Sequence, residues 1–196
     1  MTTKGINTNK LLKDMGAVFT PVFYIFGIVA IASAIIVNGF EPVTVITALF
    51  LLFLAACAAA DINKGIVPDL MVILIALLAL VKFFTGIINL QSLISCLLGS
   101  LVMSVPMLIA ALILKNSFGG GDIKMMAAAG LFLGLDKTII AGLIAFLIAG
   151  CYGVYLLFTK KRSAKEKVKL APYLALGCAF SELFGSAFLE ILHTFI

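Results

Sequence analysis

Uninterrupted apolar runs decide what this chain can become. Residues 43–60 (VTVITALFLLFLAACAAA) and 138–158 (TIIAGLIAFLIAGCYGVYLLF) hold no charged side chain. About 17 or more such residues, wound as a helix, cross the hydrocarbon core of a bilayer. Inside hydrocarbon no water serves the backbone, so each run must satisfy its own N–H and C=O groups, which a helix does within one segment. Seven runs are read as spans, near 17–37, 43–60, 70–84, 90–114, 125–135, 138–158 and 171–192. The expected fold is all-α: a polytopic transmembrane helical bundle of six to seven spans, forming one integral-membrane domain over residues 1–196. The 125–135 run is short, and so is expected to be tilted, half-buried or joined to its neighbour. Composition agrees, since only 12% of residues are charged against roughly 25% in a soluble domain.

A net charge of +5 raises the question of a nucleic-acid or acidic partner. The placement of the charge answers it. With the N-terminus inside, twelve of the fourteen basic residues fall on the inner side, and only Lys82 and Lys137 fall outside. That asymmetry is the positive-inside pattern of a cytoplasmic-membrane protein. It predicts N-terminus in and C-terminus out, with the lipid bilayer as the partner and no nucleic acid. The basic segment 159–170 (TKKRSAKEKVKL) is read as a topology anchor. The first run resembles a signal peptide, with lysines before it and Ala32-Ser33-Ala34 as a small-residue site, but it continues apolar to Val37 and is expected to be retained.

Cys57, Cys96, Cys151 and Cys178 all lie in apolar runs without C-x-x-C spacing, so neither a zinc ribbon nor a readable disulfide pattern is implied. No metal-ligand spacing occurs, and no cofactor is expected. Gly130 and Gly134 form a G-x-x-x-G, and Gly142, Gly150 and Gly153 follow on the next span; all are assigned to helix packing.

The acidic residues carry the functional question. Glu182 falls near the middle of the last span, where an ionisable group costs about 2.5–3.5 kcal/mol on insertion scales; it should face the bundle interior. Asp61 ends the second run and Asp122 precedes the fifth, so the predicted topology puts both at the inner membrane face although 61 residues separate them. Two such carboxylates can hydrolyse an amide without a covalent intermediate, one ionised to take a proton from water and one protonated to polarise the carbonyl. If close, they share a proton and titrate as a pair. Helix-end electrostatics would put the proton on Asp61, at a C-terminus, and the charge on Asp122, at an N-terminus. The bland alternative for Asp122 is a helix N-cap. Gly119, Gly120 and Gly121 ahead of it suggest more, because backbone without Cβ atoms lets an extended peptide approach.

Three stretches match one family. FGGGDIK (118–124) resembles the G-x-G-D motif of the type IV prepilin peptidases, which are intramembrane aspartic proteases. AADINKGIVPD (59–69) resembles that family's other catalytic stretch, and KVKLAPYLALG (167–177) its basic-loop-to-Pro-Tyr-Leu-Ala-Leu-Gly segment. Order and spacing agree over roughly residues 45 to 180. The resemblance implies that Asp61 and Asp122 are catalytic. It implies that Gly119, Gly120, Gly121, Lys124, Pro68, Asp69 and Pro172 support or bind substrate. It further implies cleavage of the basic leader of prepilins or pseudopilins at the cytoplasmic face. Bifunctional members carry paired C-x-x-C zinc ligands and also methylate the new N-terminus; this sequence has no such cysteines, so peptidase activity alone is expected. Oligomeric state is not legible. The alternative class is an ion- or proton-coupled transporter, in which Asp61, Asp122 and Glu182 would bind ions together. A presenilin-like protease and a structural assembly protein are further alternatives.

Overall fold

The structure is a computed structural model that describes residues 42–84, 90–113, 119–158 and 169–195, with residues 28 and 32 besides. Apart from those two residues, the expected 17–37 span lies outside the described residues, as does residue Phe118 of the glycine motif. Of the basic segment 159–170, only Lys169 and Leu170 are described beyond its start. Six helices are described: α1 (Pro42–Lys64), α2 (Asp69–Phe84), α3 (Leu90–Ile113), α4 (Gly120–Leu133), α5 (Leu135–Phe158) and α6 (Ala171–Phe195). No described residue is in a strand.

Four helices carry stretches long and apolar enough to cross a bilayer: Val43–Lys64, Ser92–Ile113, Leu135–Tyr155 and Ala171–Ile191. They are apolar on all sides because both their surroundings are apolar, protein on one face and lipid on the other. On α3 the outward residues Ile94, Leu97, Leu101, Leu108 and Leu112 are all exposed, a stripe at helical spacing suited to acyl chains. α1 lies deepest, with Phe50, Leu54 and Cys57 fully buried or nearly so. Cys57, Cys96 and Cys178 are buried free thiols, whereas Cys151 is exposed.

α4 differs from these. Its 14 residues span only about 21 Å at 1.5 Å per residue, against a hydrocarbon core of about 30 Å. It packs against α2, α3, α5 and α6, so its surroundings are largely protein. Backbone contact with α3 fixes its height. A Cβ on Gly99 of α3 would lie 2.6 Å from the Gly134 carbonyl carbon, and one on Gly130 would strike the Gly99 carbonyl. The expected packing role of Gly130 and Gly134 thus has a defined partner. Gly142 packs against the Met103 side chain, whereas Gly150 and Gly153 meet nothing within 4 Å among the described residues. α4 ends at Gly134, whose φ of 81° only glycine adopts readily, and α5 starts at the next residue. The short fifth run is therefore joined to its neighbour by a single glycine.

Glu182 faces the interior, as expected, and the structure supplies partners the sequence did not. Lys137 Nζ lies 2.9 Å from its Oε2 and Lys82 Nζ 3.7 Å from Oε1, while Thr47 Oγ1 donates to Oε1 at 3.4 Å. Lys82 also sits 4.2 Å from the centre of the Phe132 ring, which stacks on Phe50. The two lysines read as outer loop charges are thus drawn in against one buried carboxylate, tying α1, α2, α4, α5 and α6 together.

Candidate active site

The opposite end of the bundle brings together the end of α1, the turn into α2 and the first turns of α4 and α6. α1 stops because Gly65 takes a left-handed φ of 66° and donates its N–H to the Asp61 carbonyl at 2.8 Å, the left-handed helix stop that glycine favours. Asn63 Nδ2 donates to the Ala59 carbonyl. Ile66 and Val67 then lead to Pro68, whose carbonyl accepts from Met71 and Val72 N–H and so starts α2 at Asp69. Asp61 thus lies in the last turn of α1, one turn before a reversal of the chain.

α4 begins at Gly119, its N-cap, with φ −73° and ψ 137°. Asp122 N–H and Ile123 N–H close the first turn on the Gly119 carbonyl. Asp122 is therefore not the N-cap; it is the third helical residue. Its carboxylate accepts from the Gly119 N–H, which is half of a capping box. Of the three glycines only Gly119 is extended, so strand-like pairing with a peptide is not what Gly120 and Gly121, both helical, provide. Their lack of side chains serves close approach instead. A Cβ on Gly121 would meet Val67 Cβ at 2.9 Å, and one on Gly119 would meet Asp122 Oδ2 at 3.0 Å. Gly120 faces open space.

Asp61 and Asp122 share one cavity of about 370 Å³, lined also by the 65–67 turn, Asp69, the three glycines and Lys124. Both aspartates are buried, with 6% and 8% of their surface exposed. Asp61 accepts from the backbone N–H of Ala171, the first residue of α6, yet its Oδ2 has no hydrogen-bond partner among the described residues. Such an atom costs about 1–3 kcal/mol, more when charged, so its retention calls for a use. Burial first, and then the Asp61 charge, push the Asp122 carboxyl up to about 6, against the pull of the Gly119 N–H. The helix-end argument put the charge on Asp122. Burial and that like charge both act against it. At the rim, Lys124 Nζ and Asp69 Oδ1 form an exposed ion pair at 2.8 Å.

Residues 48–154 match the type IV leader peptidase family. The chain belongs to that family. The match includes Asp61, Asp122 and the glycine motif, and ends before the Pro172 segment. A Bacillus subtilis protein described as a prepilin leader peptidase/N-methyltransferase is 26% identical over 142 residues, 72% of this chain and 56% of that protein. A Xanthomonas campestris pv. campestris protein of the same description is 30% identical over 130 residues, 64% of this chain and 45% of its own length. This chain therefore spans about half the length of the curated relatives it matches. No solved structure matches.

Within this leader peptidase fold, the cavity unites seven of the nine residues singled out from the sequence: Asp61, Asp69, Gly119, Gly120, Gly121, Asp122 and Lys124. Pro68 and Pro172 do not line it. Pro68 shapes the turn; Pro172 occupies the second position of α6, where a helix lacks an N–H partner in any case. Gly177 of the same segment lets α6 approach α5, since a Cβ there would strike the Ala141 carbonyl. Sequence reasoning missed two contributors. One is the Ala171 N–H on Asp61. The other is Lys169, read only as part of the topology anchor, whose Nζ donates to the Ile62 carbonyl and whose charge reaches Asp61. A lysine two residues before a helix start gives no such signal by itself.

Proposed function

We propose that the chain is an intramembrane aspartic endopeptidase that removes the basic leader of type IV prepilins or pseudopilins at the cytoplasmic membrane face. The observation that carries this reading is the pair of buried carboxylates, Asp61 and Asp122, on one cavity, with one Asp61 oxygen left without a partner among the described residues. A buried polar atom of that kind is available to a water or a substrate. The family match supports the peptidase class, and the basic residues around residues 64, 124 and 160–169 support an inner-face location.

In the mechanism, ionised Asp61 takes a proton from a water molecule, and that oxygen attacks the scissile carbonyl carbon. Asp122 gives its proton to the carbonyl oxygen, producing a neutral tetrahedral diol. Asp61 then gives the proton it acquired to the leaving nitrogen while Asp122 takes one from a diol hydroxyl, so the C–N bond breaks to an amine and a carboxylic acid and the proton is back on Asp122. We assign the proton to Asp122 on one difference: both carboxyls are buried and each accepts one backbone N–H, from Ala171 or Gly119, but among the described residues only Asp61 has Lys169 beside it. The transporter reading grouped Glu182 with the aspartates. The lysine partners of Glu182 remove its reason for belonging to that group. Methylation of the new N-terminus is not part of the proposal.

The test is cleavage of a prepilin by the purified protein in liposomes, with Asp61→Asn and Asp122→Asn in parallel. Loss of leader removal by both, with insertion and melting unchanged, is expected. Near wild-type cutting by either variant would end the dyad reading.

A further inference from the structure

The segment just before α6 is attached to the catalytic end of α1 at two points. Lys169 Nζ donates to the Ile62 carbonyl, and the Ala171 N–H donates to the Asp61 carboxylate. Ile62 is in the last turn of α1, where carbonyls lack helical partners, so a lysine there both caps the helix and parks a positive charge beside the neighbouring residue. Lys169 is otherwise exposed and forms no ion pair with a carboxylate within 4 Å among the described residues; the rim pair of Asp69 and Lys124 is separate from it. Its charge acts on Asp61.

We propose that Lys169 is a positioning residue for the Asp61–Asp122 pair, holding its ammonium against the end of α1 so that Asp61 is the ionised, water-activating partner. This rests on the peptidase reading above. The charged and titratable groups around Asp61 are Asp122 and Lys124 from α4, Asp69 from α2 and Cys57 on α1 itself, with Lys169 ahead of α6. Two of these are carboxylic acids beside Asp61's own, and of the two lysines Lys124 is engaged at the rim with Asp69. Lys169 is therefore the cation whose position is tied to Asp61. Without it, the shared proton is freer to move to Asp61, and the pair loses its polarity without losing either carboxyl.

The experiment measures kcat and KM for prepilin cleavage by the full chain in liposomes from pH 4 to 8, for wild type, Lys169→Met, Lys169→Arg and Lys167→Met. The Lys167 variant removes the same charge from the same loop. Lys169→Met should lower kcat about tenfold at pH 6 and move the acid limb of the profile to higher pH, with KM within twofold. Lys169→Arg should restore the wild-type limb, and Lys167→Met should leave it in place. Equal melting temperatures in detergent show that the variants are folded. An unmoved acid limb in folded Lys169→Met overturns the proposal, as does a rise in KM alone, which would make Lys169 a contact for the substrate. If wild type cleaves nothing, the peptidase reading itself fails; if wild type cleaves and Lys169→Met matches it, only the role of Lys169 fails.

Discussion

The Glu182 side chain and Asp61 are both turned away from solvent, yet their surroundings are opposites. The Glu182 side chain, 6% exposed, has two ammonium groups and a hydroxyl directed at it. Asp61 has one backbone N–H, a second carboxyl across a cavity and an oxygen with no partner. Burying a charge is tolerable when partners replace the lost water. At Glu182 they do, and the result joins five helices. At Asp61 they do not, and the deficit opens onto a space of about 370 Å³. Depth alone does not distinguish a structural carboxylate from a chemical one; what remains unsatisfied does.

The sharpest way to break this comparison is to neutralise each side in turn. Asp61→Asn should reduce cleavage about 10³-fold, within the range for losing a general base, while leaving unfolding unchanged or making it harder. Glu182→Gln should do the reverse: destabilisation of about 1–3 kcal/mol from removing the carboxylate that two half-buried lysines share, with cleavage per folded molecule within about twofold. Unfolding in mixed micelles and leader removal by the same samples check both, and a Glu182→Gln protein that is stable but inactive would erase the distinction. Next in size is pH. Asp122, raised to about 6, must keep its proton to act as the acid, so kcat/KM should fall about tenfold per unit as pH rises above that value. A profile flat from 6 to 8 would contradict the assignment. Gly130→Ala, which drives a methyl into the Gly99 carbonyl, should cost about 1–3 kcal/mol as overpacking does; thermal melts would register it. The smallest effect is expected from Asp69→Asn. Its ion pair with Lys124 is exposed on both sides, at 69% and 60%, and such pairs contribute about 0–1 kcal/mol.

The spans were legible because an apolar run of sufficient length has one solution in a bilayer. Asp61 and Asp122 were legible because local motifs surround them. What the sequence could not reveal was non-local. Lys82, Lys137 and Thr47 are 100, 45 and 135 positions from Glu182, and no local pattern links them. Lys169 lay inside a charge run that already had a sufficient explanation in topology. That Gly120 and Gly121 are helical was not legible because the start of a helix depends on what packs against it, here Val67. The helix-end argument for the proton left burial out for a related reason: a dipole is readable from the sequence, whereas burial by other helices is not.

The close approach of α3 and α4 bears on how the enzyme meets membranes of different thickness. Long helices adjust to a thinner or thicker bilayer by tilting. α4, at 14 residues, is too short for its apolar length to set its level by matching the lipid. Its level is inherited from Gly99 and the backbone it touches. A change in acyl-chain length would therefore alter how much of the outer helices is wetted without shifting Asp122 relative to Asp61. The spacing of the two aspartates is referenced to protein rather than to lipid.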